Sequence, residues 1–149
     1  MNMDLRELYQ EVIIDHNRNP RNHHVLEDRT AEARGYNPLC GDKLTVYLKM
    51  KNNKIEGLSF LGHGCAISQA SASLMTEALK GKSLAEAEAL YQQVHQMLTL
   101  DSDAPMPEMN RLAVLAGVKE FPARVKCASL AWHTFEAALH QQHDTISTE

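Results

Sequence analysis

Apolar residues at three- and four-residue spacing open the chain. Leu5, Leu8, Tyr9, Val12, Ile13 and His16 fall on one stripe, which predicts an amphipathic helix over residues 4–17. Asp4 with Glu7 has the form of a capping box at its start, and the run Asn17 to Asn22, with Pro20, ends it. Residues 18–31 are polar and read as a surface loop. The period then falls to two. Leu44, Val46, Leu48 and Met50 alternate with Thr45, Tyr47 and Lys49, the pattern of a half-buried strand. Asn52-Asn53 suits a tight turn because asparagine tolerates positive φ. Ile55, Leu58 and Phe60 mark a second strand from Lys54 to Leu61, with a bulge at Gly57, and a weaker signal places a third strand at Ala31 to Tyr36.

After Cys65 the pattern is helical. Ile67, Ala70, Leu74 and Ala78 form a stripe that Gly81 stops. Ser83 with Glu86 makes a capping box for a helix that points Leu84, Ala87, Tyr91, Val94 and Leu98 inward. Pro105 and Pro107 make residues 101–109 a loop, and residues 111–117 add a short helix. Pro122 fits a first turn, and Ala123 to about His140 forms the last helix, packing through Val125, Leu130, Trp132, Phe135 and Leu139. The residues after 141 are expected to fray. The expected fold is α+β, a single domain over residues 1–149, with a small antiparallel three-stranded sheet packed by about five helices.

Composition narrows the function classes. The chain has 149 residues, 44% hydrophobic and 23% charged, enough to bury a core without disulfides. A net charge of −4 gives no reason to expect nucleic-acid binding. No apolar run approaches the roughly 20 residues of a membrane span, and residues 1–6 lack the layout of a signal peptide. Three cysteines, an odd number with no export signal, argue against a disulfide framework and for the cytoplasm.

Those cysteines carry the candidate chemistry. Cys40 opens Cys40-Gly41-Asp42, where a glycine lets a thiolate and a carboxylate turn toward one ion. Cys65 closes Gly62-His63-Gly64-Cys65 at a helix start, whose partial positive charge favours a thiolate. Cys127 follows Arg124-Val125-Lys126, whose cations are expected to favour its thiolate. Cys40, Asp42, Cys65 and Cys127 are thus candidates to fill the corners of a tetrahedral zinc site, to hold a cluster in assembly, or to carry sulfur. The plain alternative is three separate cysteines acting as small buried hydrophobes, since their distant spacings match no zinc-finger template.

The local contexts resemble a known family. Asp15-His16 with Asn19-Pro20-Arg21-Asn22, then Asn37-Pro38-Leu39-Cys40-Gly41-Asp42, then Gly62-His63-Gly64-Cys65 continuing to Ser73, then Phe121 to Trp132 around Cys127, look like the successive signature blocks of the IscU/NifU-type iron–sulfur assembly proteins. Lys126, where IscU-type scaffolds carry a histidine, and the Ser83 to Pro107 segment, which looks like an insertion, resemble the SufU branch. Phe121 to Val125 replaces the segment by which IscU is handed to its chaperones. The resemblance implies a SufE/NifU-like fold and a zinc-dependent sulfurtransferase, with zinc on Cys40, Asp42, Cys65 and Cys127. It implies a pyridoxal-phosphate cysteine desulfurase of the SufS type as sulfur donor, whose histidine takes over a zinc position and frees a thiolate. Downstream iron–sulfur assembly proteins are the further partners, with no nucleic acid and no membrane. Cys40 is the expected acceptor, and Arg124 is expected to position the persulfide or a partner carboxylate.

Asp42 is the natural weak ligand, so Asp42→Ala is expected to alter metal lability before the fold. The alternative function is a scaffold that builds a transient 2Fe–2S cluster, or holds iron, on the same residues; a third is a purely structural zinc module. His63 stands as a metal ligand or proton carrier against a surface residue, and His16 as a satisfied, half-buried histidine. His133, His140 and His143 read as surface residues. Met97, Met106 and Met109 read as gap fillers or part of a docking surface.

Overall fold

The computed structural model describes residues 5–99, 112, 115, 122–140 and 146–147. Helix α1 spans Leu5–Arg18, as the apolar stripe requires. Strands β1 (Ala31–Asn37), β2 (Asp42–Lys51) and β3 (Lys54–His63) form an antiparallel meander. Asn52 and Asn53 sit at φ 52° and 65°, the left-handed pair that a two-residue hairpin needs. The bulge falls beside Gly57: Lys49 pairs with Gly57 and Met50 with Ile55, leaving Glu56 as the extra residue.

Three helices follow: α2 (Ala66–Leu79), α3 (Leu84–Thr99) and α4 (Pro122–Leu139). Four α-helices among the described residues replace the expected five. Of the expected helix over 111–117, Leu112 and Leu115 are described, in 3-10 geometry and buried. The Asp4 capping box, the 101–109 loop, His143, Met106 and Met109 lie outside the described residues. Ile146–Ser147 forms a short strand, β4, parallel to β1 at Gly35 and Tyr36, so the sheet order is β3-β2-β1-β4. Among the described residues no helix is long and apolar enough to cross a membrane.

One face of the sheet forms the core. Leu44, Val46, Leu48, Leu58 and Phe60 alternate onto it and meet Leu74 and Met75 of α2 and Leu130 and Phe135 of α4. Helix α2 is more deeply buried than a single stripe predicts. Ser68, Ser71, Ser73 and Thr76 are buried along with its apolar residues, because α1 and α4 pack its remaining sides. Small hydroxyl side chains permit that approach and bond across it. Ser71 Oγ donates to the Ala128 carbonyl at 2.5 Å and accepts from Trp132 Nε1 at 3.2 Å. His16 is 1% exposed and satisfied, its Nδ1 lying 2.7 Å from Ser73 Oγ and its Nε2 3.5 Å from Glu77.

The capping box of α3 forms in both directions. The Ser83 amide donates to Glu86 Oε1 at 3.0 Å, and the Glu86 amide donates to Ser83 Oγ at 3.2 Å. Ala87, Val94 and Leu98 are buried, as is Met97. The α3–α4 joint corrects the expectation for His133. It is half-buried, within 2.9 Å of Tyr91 Oη and against the His95 ring, while the exposed His140 contacts Glu88 and Glu136.

Burial, then the nearby His95, pulls the His133 pKa below the usual 6.5. The unfolded chain therefore takes up this proton first, and the stability His133 contributes at neutral pH is lost as pH falls below about 6.5. His140 is raised by Glu136, and Glu136 is raised mainly by burial; both act in the opposite direction and remain in a His133 variant. The urea midpoint of the wild type should therefore fall more between pH 7.5 and pH 5.5 than that of His133→Asn. Equal falls would show that His133 is not held neutral by the joint.

Candidate metal centre

Three turns of the fold deliver the candidate ligands. The β1–β2 hairpin is closed by Asn37 opposite Asp42, so Pro38 to Gly41 form its loop and Cys40 stands at the tip. Gly41 holds φ 68°, a conformation glycine adopts without penalty, and the space at its missing Cβ is open. Cys65 is the N-cap of α2, its Sγ accepting from the Ser68 amide at 3.5 Å. Cys127 lies in the second turn of α4 and is 1% exposed.

The thiols of Cys40 and Cys127 and a carboxylate oxygen of Asp42 all lie within 4.8 Å of one another. Cys40 Sγ is 3.1 Å from Cys127 Sγ. Three of the four residues singled out in the sequence therefore converge, and the fourth, Cys65, adjoins them through its amide, which donates to Asp42. Burial, and then the neighbouring Cys40 and Cys65 thiols, push the Cys127 thiol well above its usual range, and the Asp42 charge adds to this. That reverses the expectation from Arg124 and Lys126: Arg124 is exposed and Lys126 only half-buried, while the thiol points inward.

Asp42 is fully buried. Its Oδ1 accepts from the Cys65 amide at 2.8 Å and its Oδ2 from Asn37 Nδ2 at 3.2 Å. A Cβ on Gly64 would collide with the Asp42 carboxylate, so only glycine lets the β3–α2 connection pass so close. Asn37 is the residue that sequence reasoning missed. It is fully buried, donates to Asp42 and to Cys127 Sγ at 3.5 Å, and its Oδ1 accepts from the Leu39 amide at 3.3 Å. The available signal was an asparagine in the quoted block, one strand end away from the aspartate.

His63 is exposed at the end of β3, outside the cluster. Arg124, in the first turn of α4, makes no hydrogen bond or ion pair with another described residue. A second group, Glu88, Glu136 and His140, lies at the α3–α4 joint.

The donor set suits a soft or borderline cation. Zinc–thiolate bonds of about 2.3 Å separate tetrahedral sulfurs by roughly 3.8 Å. Cys40 and Cys127, at 3.1 Å, would have to open slightly, and the Gly41 loop leaves Cys40 free to do so.

The chain matches the family model described as the NifU-like N-terminal domain over residues 8–142. It belongs to the NifU-like family. Within the family it is 38% identical over 141 residues to the zinc-dependent sulfurtransferase SufU of Bacillus subtilis, covering 95% of each chain. It is 39% identical to the iron–sulfur cluster assembly scaffold protein IscU of Streptococcus pyogenes, over 91% of this chain and 84% of that one. A crystal structure from Fervidobacterium islandicum, described as an assembly scaffold protein for the SUF system, superposes with a TM-score of 0.77. It is 36% identical and is matched over 87% of this chain and 94% of its own. The N-terminal NifU-like protein of Brucella abortus gives 0.82 at 25% identity, over 92% and 95% of the two chains. The α+β architecture built on the three-stranded antiparallel meander is therefore that of the family.

Two outcomes follow from the geometry. With metal removed by chelator, a thiol reagent should modify exposed Cys40 first and buried Cys127 last, read by peptide mass spectrometry; the reverse order would contradict the cluster. Asp42→Ala strands the Cys65 amide and the Asn37 side chain, so it should cost about 1–3 kcal/mol in urea unfolding of the metal-free protein. Its effect is therefore on the fold as well as on metal lability, unlike the expectation from sequence.

Proposed function

We propose that this protein is an iron–sulfur cluster assembly protein that accepts persulfide sulfur at Cys40 and passes it on for cluster biogenesis. Zinc is held by Cys40, Asp42, Cys65 and Cys127, and the donor is a SufS-type, pyridoxal-phosphate cysteine desulfurase in the cytoplasm. The observation that carries this reading is the convergence of Cys40, Cys127 and the buried Asp42 carboxylate, with Cys65 beside them and Cys40 alone of the three thiols exposed. The name of the Bacillus relative supports zinc, and that of the Streptococcus relative supports the alternative of a transient 2Fe–2S cluster.

Bound zinc keeps thiols deprotonated at neutral pH without redox chemistry of its own. This offsets the burial that otherwise holds Cys127 protonated. The chain's residues then divide the work. Cys65 and Cys127, set on helices, are the fixed ligands. Asp42 is held by two hydrogen bonds and keeps its orientation when its neighbour moves. Cys40, on the Gly41 turn, is the ligand that can leave.

Its thiolate attacks the outer sulfur of the donor's persulfide. A sulfur–sulfur bond forms at Cys40, the donor's sulfur–sulfur bond breaks, and the donor cysteine departs as thiolate. Arg124, exposed one turn before Cys127, stands where it can meet the incoming persulfide or a carboxylate of the donor.

Protein purified without added metal should contain one equivalent of zinc and stimulate desulfurase turnover, and Cys40→Ala should abolish the stimulation. Iron and acid-labile sulfide with little stimulation would assign the site to cluster assembly instead.

A further inference from the structure

The outer face of the sheet, opposite the core, treats its cations in two ways. At the end away from the cysteines two of them, Lys49 and Arg29, are matched, while Lys51 is exposed without an ion pair to a described residue. Lys49 pairs with Asp28 at 2.6 Å and Glu56 at 3.4 Å, and Arg29 pairs with Glu32 at 2.9 Å. At the end beside the Cys40 hairpin, the same face carries Arg34 from β1, Lys43 from β2 and His63 from β3, all exposed. None of these three forms an ion pair with a described residue; Lys43 Nζ instead lies 5.5 Å from the Tyr36 ring.

These residues line an open groove of about 570 Å³ to which no acidic side chain among the described residues contributes. Lys43 and His63 are direct cross-strand partners, a pairing of two basic groups that gives the sheet no favourable charge contact. The chain as a whole is acidic, at −4, so the basic groove runs against its overall balance.

The position of the groove matters as much as its charge. Lys43 directly follows Asp42 on β2, with its side chain on the opposite face of the strand. A partner lying in the groove therefore reaches the hairpin tip that carries Cys40 and Leu39, which is 64% exposed. We propose that an acidic segment of the sulfur-donating desulfurase docks in this groove and sets the donor's persulfide against Cys40. The inference rests on the sulfur-transfer reading and names the surface that would recognise the donor.

The test is the kinetics of association with the desulfurase over a series of salt concentrations. The double variant Arg34→Glu with Lys43→Glu should associate about tenfold more slowly at low salt and lose most of its salt dependence, because peripheral charges act mainly on encounter. Lys51→Glu makes the same kind of charge change at the far end of β2, where Lys51 is exposed, and should associate as the wild type does. Should the reversal disturb zinc content or melting, Arg34→Gln with Lys43→Gln should still give an intermediate loss.

Wild-type association in either double variant, or an equal loss in Lys51→Glu, would overturn the groove while leaving sulfur transfer intact. A wild-type protein that retains zinc but neither binds nor stimulates the desulfurase would overturn both.

Discussion

A carboxylate taken wholly out of water needs donors or a cation on every side it presents. Asp42 is in that position, and the site is arranged around it. Its two oxygens take the Cys65 amide and the Asn37 side chain, which ties the start of β2 to the end of β1 and to the N-terminus of α2. Each of those connections carries or adjoins a cysteine. The same contacts that satisfy the charge therefore place Cys65 and the base of the hairpin that carries Cys40, and Asn37 extends the link to Cys127. Gly64 has to be glycine because the chain passes against the carboxylate itself.

The rest of the fold brings Cys127 to that point. Helix α2 is buried on several sides, and its small serines keep the neighbouring helices close, the hydroxyls of Ser71 and Ser73 finding partners there. Ser71 binds both the Ala128 carbonyl and the Trp132 indole, which locks α4 beside α2 one residue past Cys127. A larger residue at Ser71 would push α4 outward and carry Cys127 with it. The helices thus hold two thiols rigidly, while the glycine turn leaves the third free to move, a division that suits a site in which one ligand must also act as a nucleophile.

The sheet shows a comparable division. Its inner face supplies apolar side chains to the core. Its outer face carries ion pairs at Lys49 and Arg29 at one end and, at the end that meets the site, basic side chains that pair with no described residue. Strand alternation makes this possible, because Asp42 and Lys43 are neighbours in sequence yet face opposite sides.

Much of this was legible in the chain. The stripe of α1, the alternation of β2, the Asn52-Asn53 turn and the Ser83–Glu86 box are set by contacts within a few residues, so local pattern was enough. The cysteine blocks likewise identified the candidate ligands, since turn glycines and a helix start are local features. What only the tertiary structure decided depends on contacts far apart in sequence. These are the burial of α2 on several sides, the partly covered His133, the role of Asn37 and the inward turn of Cys127 away from its flanking cations. The environment of each is supplied by another element of the fold, and desolvation by a distant neighbour outweighs a charge next door in the chain.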